Sequence, residues 1–202
     1  MSDKKPAMTR SRIKTEQRLI DAVGSILLEQ GYPAVGINAI ARRAGCDKVL
    51  IYRYFGGFDE LLLAFAETTT LWWEVDEIIT ESAVDCATIT LPDYLQRLLN
   101  RYVESLESRP LALEIMAWEM SEQNNLTQRL ARTRSERGME LVKRIRAYYR
   151  QPNIDIGGIL GVFGASINYL VIRTRKQSRQ YKTEEWWRLQ QTIAKLLQAY
   201  AD

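Results

Sequence analysis

INAIARRAGCDKVLIYRY, residues 37–54, reads as two short helical stretches about a turn. Ala41 is small where two helices would cross, and Gly45 supplies the positive φ that a tight turn between them needs. Asp47 stands as a cap ahead of the second stretch, while Ile40, Ala44, Ile51 and Phe55 fall on one seam that can be buried. The second stretch then presents Lys48, Val49, Tyr52 and Arg53, a mixture suited to phosphates and base edges in a major groove. Such an arrangement is a helix-turn-helix.

The charge surrounding this stretch agrees with a polyanionic partner. Residues 1–56 hold ten Lys or Arg against five acids, so that a chain of net charge +3 has +5 in this quarter and −2 in the remaining 146 residues. Of the 202 residues, 46% are apolar and 26% charged, the balance of a packed globular protein rather than a disordered one. Histidine is absent, which removes the commonest general base and metal ligand together with every Ser-His or Cys-His pair. Cys46 and Cys86 are too far apart for a metal knuckle or a redox CxxC. Neither a GxxxxGK[ST] loop nor a GxSxG elbow occurs, so no catalytic residue, cofactor or metal is expected. No basic-then-apolar leader opens the sequence, and a reduced, cytoplasmic location is expected. The apolar run Ile156 to Ile172 falls short of a membrane span, carries Ser166 and Asn168 and is rich in glycine, so no membrane is expected.

Working outward, Met1 to Arg10 reads as a loose basic arm, and Ser11 to Gly31 as a first helix. Gly36 to Ala44 and Asp47 to Tyr54 are the two short helices, and Gly56-Gly57 precede a long fourth helix from about Phe58 to Ser82. Thr90-Leu91-Pro92-Asp93 starts the next, to about Ser108; Pro110 opens another to about Gln123. Asn125 caps a long basic helix, after which helices over Asp155 to Arg175 and Thr183 to Tyr200 complete nine. No strand is predicted, and the fold class is all-α.

At this point the chain resembles the TetR family of transcriptional regulators. The family's isoleucine-alanine, alanine-glycine and leucine-tyrosine-any-aromatic-phenylalanine pattern is met by Ile40-Ala41, Ala44-Gly45 and Ile51-Tyr52-Arg53-Tyr54-Phe55. The match covers roughly Ile13 to Phe65; beyond it only the architecture agrees. The resemblance implies a nine-helix TetR-like fold with a DNA-binding domain over 1–56 and a ligand-binding and dimerisation domain over 57–202. It makes Asn38, Lys48 and Val49 candidates for base edges, and Gly36, Tyr52 and Tyr54 for the DNA backbone. Two departures weaken phosphate contact: Phe58 stands where the family has a lysine, and Gly36 where it has a threonine. Arg42, Arg43, Lys48 and the arm residues Arg10, Arg12 and Lys14 would compensate, although Arg42 and Arg43 also read as a solvated face and Tyr52 and Tyr54 as packing against the first and fourth helices.

In the last helix Trp186, Leu189, Ile193, Leu196 and Tyr200 step by three and four, a helix-to-helix seam. The preceding helix has Phe163, Ile167 and Leu170 beside interior glycines that imply close packing. Both are expected to form a four-helix bundle across a two-fold axis, setting two recognition helices on a palindromic operator in double-stranded DNA; an intramolecular core is the alternative. Trp72, Tyr102, Met116, Trp118 and Phe163 are candidates to line a pocket for a small aromatic or lipophilic effector, with core packing the competing reading for any one tryptophan. Glu114 or Glu119 facing that pocket would favour a cationic or hydroxylated ligand. The expected function is a ligand-released repressor acting as a homodimer. A helical interaction or ligand-binding protein without operator binding is the alternative, for which Phe58 and Gly36 argue.

Overall fold

The computed structural model describes residues 10–68, 71–150, 153–176 and 184–201. Among them there is no strand; the helices are α1 (Arg10–Gln30), α2 (Ile37–Ala44), α3 (Val49–Phe55), α4 (Phe58–Thr68), α5 (Val75–Ile78), α6 (Ala83–Cys86), α7 (Leu91–Glu107), α8 (Pro110–Ser121), α9 (Asn125–Tyr148), α10 (Ile156–Lys176) and α11 (Glu184–Ala201), with a 3-10 turn at Tyr32–Ala34. The chain divides into two compact units, Met1–Leu71 with Trp118–Gln128, and Trp72–Ala117 with Arg129–Asp202. The first unit therefore runs past the Gly56-Gly57 break expected to end it. It also takes in the last turn of α8 and the first of α9.

In the amino-terminal unit α1 packs against α2 and α4, and α3 against α4. Leu19, Val23, Ile26 and Leu27 of α1 are buried with Ile40, Ile51, Leu61 and Phe65. Their spacing of three and four is why a polar-faced helix such as α1 holds together here. Trp118 is buried in the same unit, its ring stacked on that of Tyr32 at 3.5 Å between centroids. Asn124, rather than the neighbouring Asn125 expected from sequence, caps α9: its Oδ1 accepts from the Leu126 and Thr127 amides at 3.0 Å each.

In the carboxy-terminal unit α7 is central, packing against α5, α10 and α11. Thr90 caps it as expected, its Oγ1 accepting from the Asp93 amide at 3.3 Å. Leu91, Leu95, Leu98 and Leu99, then Val103 and Leu106, form its buried stripe. Among the described residues Ile156–Arg175, within α10, is the one stretch long and apolar enough to cross a membrane by length and composition. Its Ile156, Phe163, Ile167 and Val171 are buried in the protein.

The nine-helix expectation gives way to eleven helices among the described residues, because the long fourth helix is broken. α4 ends at Thr68, residues 71–74 are irregular, and two single turns follow. Arginines from α7 and α9 capture the main chain there. Arg137 donates to the carbonyls of Trp72, at 2.9 Å, and Trp73, and pairs with Glu74 at 2.8 Å. Arg101 donates Nε to the Ile78 carbonyl at 2.6 Å and grips both Glu81 oxygens at 2.9 and 2.7 Å. Arg109 pairs with Glu77 at 2.6 Å, and Arg144 with Asp76. A carbonyl held by a guanidinium makes a charge-assisted bond that replaces its place in a helical ladder. Ser82 and Asp85 then restart the chain as a reciprocal capping box on α6.

Burial raises the Glu81 carboxyl, but the hydrogen bonds from Arg101, those from the backbone at Glu81 and Thr80 and the Arg101 charge together more than offset this, leaving it below its ordinary value of 4.5. The pair thus contributes stability fully above that value, and loses it as pH falls through the lower folded value. Arg101→Met is expected to cost about 2 to 3 kcal/mol at neutral pH, since it strands a mostly buried carboxylate and frees the Ile78 carbonyl. The difference from wild type should shrink below pH 4 in urea denaturation; a constant difference across pH would refute the pairing.

Candidate nucleic-acid interface and effector cavity

The turn between α2 and α3 is built by backbone bonds in a fixed pattern. The Cys46 amide donates to the Ala41 carbonyl at 3.1 Å and the Gly45 amide to that of Arg42 at 3.2 Å, which together close a helix when the residue at Gly45 is left-handed. Gly45 has φ +61° and ψ +44°. Arg18 of α1 then clasps the turn, donating to the carbonyls of Gly45, at 2.8 Å, and Ala44. On the far side the Val49 amide donates to Asp47 Oδ1 at 2.8 Å, so Asp47 caps α3 as expected. Ile40, Ala44 and Ile51 are buried beneath the turn.

A side chain at position 45 would be strained by the positive φ, and its Cβ would lie 3.1 Å from Arg18 Nη2. Gly45→Ala is expected to cost about 1 to 2 kcal/mol, chiefly backbone strain. Thermal unfolding should show the loss, and Gly45→Asn, which tolerates this conformation better, should lose less. Equal stability in wild type and Gly45→Ala would refute the assignment.

So held, α3 presents Lys48, Val49, Tyr52 and Arg53 on one exposed face. Val49 is 60% and Tyr52 53% exposed, large apolar groups left in water between two cations. Asn38 and Arg42, one turn apart on α2, are exposed as well, and Gly36 is half-buried in extended backbone ahead of α2 with no side-chain cap. Two candidates are otherwise engaged. Arg43 makes a two-pronged pair with Glu29, one bond at 2.7 Å, and this hydrogen bonding holds the Glu29 carboxyl below its usual range. Tyr54 is half-buried with the Arg12 guanidinium 5.1 Å from its ring centre, and Arg12 is itself bonded to Glu16 at 2.7 Å. The arm before Arg10 lies outside the described residues. Burial pushes the Cys46 thiol up, keeping it protonated, which suits a turn residue and not a reactive thiolate. Arg18 was missed from sequence; its partners lie 26 and 27 residues away and leave no local pattern.

The carboxy-terminal unit contains a cavity of about 640 Å³, bounded by the Trp73–Ile78 segment, α7, α9 and α10. Of the five pocket candidates Tyr102 lines it, and Trp73 takes the place given to Trp72. Trp72 is buried with the Arg134 guanidinium 5.0 Å from its ring centre. Met116 and Trp118 are buried elsewhere, Trp118 against Tyr32 in the other unit. Phe163 belongs to the buried stripe of α10 at 156, 163, 167 and 171, whereas Gly157, Gly161, Gly164 and Asn168 form the lining stripe. The α10 glycines thus make room for a cavity in place of the close packing expected of them. Glu114 does not line it either, being buried and paired with Arg175 at 3.1 Å; nor does Glu119.

The expected dimer seam also changes. Phe163, Ile167 and Ile193 lie in the chain's own core, Leu170 and Leu189 are half-buried, and Leu196 is exposed. The side chains of Trp186 and Tyr200, and the cap expected at Thr183, lie outside the described residues. Among the described residues, the large apolar groups that α10 and α11 leave in water are Val162, Tyr169, Trp187 and Leu196.

Residues 19–65 match the family model of bacterial regulatory proteins, tetR family. Over 51 residues the chain is 39% identical to an uncharacterized HTH-type transcriptional regulator, TtgW, of Pseudomonas putida, a match spanning 25% of this chain and 38% of that relative's length. The fold is similar to that of a TetR family transcription regulator from Marinobacter aquaeolei, with 21% identity, a TM-score of 0.57 and coverage of 96% of this chain and 100% of the other. It is likewise similar to NalD, the secondary repressor of the MexAB-OprM multidrug efflux pump in Pseudomonas aeruginosa, with 18% identity, a TM-score of 0.59 and coverage of 90% and 96%. At these identities the structural likeness is one of fold. Over residues 19–65, where the helix-turn-helix built above stands, the chain is thus similar to the bacterial regulatory proteins of the tetR family.

Proposed function

We propose that this protein is a ligand-responsive repressor of transcription that binds a palindromic operator as a homodimer and is released by a small molecule. The observation that carries the reading is the locked α3 with Lys48, Val49, Tyr52 and Arg53 on one exposed face. A helix enters the major groove by its first turn, where Lys48 and Val49 stand, and a two-fold pair spaces two such helices by one turn of duplex, roughly 34 to 36 Å. Val162, Tyr169, Trp187 and Leu196 supply the apolar contacts of that pair. NalD is by its description a repressor, which favours repression here. Such a protein acts where the DNA is, in the cytoplasm, and its chemistry requires no metal or cofactor.

The lever is the segment after Leu71. Trp73 and Ile78 line the cavity, and Arg137 and Arg101 hold their carbonyls. A ligand against Trp73 therefore acts on the stretch that follows α4 in the sequence. To release DNA it need only bind one arrangement about 5 to 150 times better than the other, a coupling of roughly 1 to 3 kcal/mol.

The test is a titration of the protein into the duplex flanking its gene and into a scrambled duplex, by fluorescence anisotropy at stepped salt. A regulator gives a negative log-log slope of several units and a specific excess. A fold that has lost operator binding, the reading favoured by Gly36 and by Phe58 at the start of α4, gives neither.

A further inference from the structure

We infer that the effector is an apolar molecule bearing a carbonyl-type oxygen, and that the side-chain amide of Asn168 recognises that oxygen; this rests on reading the cavity as the effector site. Asn168 and Tyr102 both line the cavity, and the Tyr102 hydroxyl donates to Asn168 Oδ1 at 2.7 Å. Burial raises the Tyr102 phenol, so at neutral pH it keeps the proton it donates. Asn168 can accept that proton only by turning Oδ1 toward it, which fixes the orientation of the whole amide. Trp73 packs edge-on against the Tyr102 ring, with 5.6 Å between centroids and 87° between planes, and so holds the phenol in place. The two N–H groups of Asn168 Nδ2 meet no acceptor among the described residues.

The amide therefore stands as a donor in a wall that is mostly apolar, including Leu98, Leu99, Leu141, Val142 and Leu160. Arg134 also lines the cavity but is already engaged, its guanidinium lying 5.0 Å from the Trp72 ring centre. No Asp or Glu is among the described lining residues, so the wall holds no carboxylate to receive a donor on the ligand. A purely apolar body filling the cavity would strip water from the two N–H groups and return nothing, whereas an acceptor oxygen completes them. Gly164 and Gly161, one and two turns before Asn168 on the same face of α10, leave room for the body of the ligand beside the amide, since a Cβ at either would meet nothing within 4 Å. The volume of about 640 Å³ lies within the usual range for small-molecule sites, roughly 300 to 1,000 Å³.

2-Acetylnaphthalene and 2-isopropenylnaphthalene have nearly the same shape and differ in whether the branch carries an oxygen or a methylene, so isothermal titration of each isolates the hydrogen bond. The ketone should bind wild type about 5 to 150 times tighter than the alkene, the range for a buried donor otherwise left without a partner. Asn168→Asp still accepts from Tyr102 but, once ionised, donates nothing, and should abolish that advantage. Asn168→Leu should abolish it too while leaving the alkene bound. Gly164→Leu, which favours the helix and fills the cavity, should lose both probes. Equal affinities in wild type, or a ketone advantage surviving in either folded Asn168 variant, overturn the inference and leave the cavity reading standing. Failure of both probes to bind wild type, or binding of both to Gly164→Leu as to wild type, overturns the cavity reading and the inference together.

Discussion

Replacing Trp118 by alanine is expected to lower the unfolding free energy by about 3 to 5 kcal/mol, the cost of deleting a buried indole. Trp118 is 3% exposed and stacked at an interplanar angle of 17° on Tyr32. In a chain of this length that is a fall in melting temperature of roughly 6 to 20 °C. Part of the loss is the ring pair itself, about 0.5 to 1.5 kcal/mol, which a double-mutant cycle with Tyr32→Ala isolates as a coupling energy. A loss below 1 kcal/mol in Trp118→Ala would mean that the last turn of α8 does not pack within the amino-terminal unit as described.

Lys48→Ala is the counterpart in function. Lys48 is exposed beside the first turn of α3, so its removal should leave helical content and melting temperature unchanged within about 0.5 kcal/mol. Duplex affinity should fall about ten- to a hundredfold, because a dimer loses two contacts of roughly 1 kcal/mol or more each. The salt slope should become shallower by about one to two units if Lys48 meets phosphate, and stay near wild type if it meets a base edge. Arg43→Ala, whose guanidinium is occupied by Glu29, should weaken binding less. Unchanged affinity in Lys48→Ala would remove α3 as the reading element.

Much of the first sixty residues was legible because their signals are local. Gly45 in a left-handed turn, Asp47 as a cap and Ile40, Ala44 and Ile51 as a seam each follow from neighbours close along the chain. The capping hydroxyl of Thr90 and the apolar stripe of α7 are of the same kind. The long fourth helix failed because its interruption is enforced from far along the chain. No residue between Phe58 and Ser82 is a proline or glycine that would stop a helix, yet Arg137 and Arg101 take the carbonyls of Trp72, Trp73 and Ile78.

The pocket and dimer seam expected from spacing differ in part from the structure for a related reason. Periodicity states that Phe163, Ile167 and Ile193 lie on faces that must be covered, and all three are buried. It carries no information on whether the same chain or a second one covers them. Aromatic and apolar composition likewise groups Trp72, Met116 and Trp118 into one site, whereas all three are buried away from the cavity lining.

By itself, then, the sequence determined that the protein is all-helical, that its first quarter carries a basic helix-turn-helix, and that Lys48, Val49, Tyr52 and Arg53 make the exposed face of α3. Those follow from turn chemistry and spacing, whose energies act between near neighbours. Tertiary structure alone decided where α4 stops, which tryptophan meets the cavity, and that Arg43 is spent on Glu29. Each of these depends on contacts between residues distant in the chain, which leave no periodic trace in the order of the amino acids.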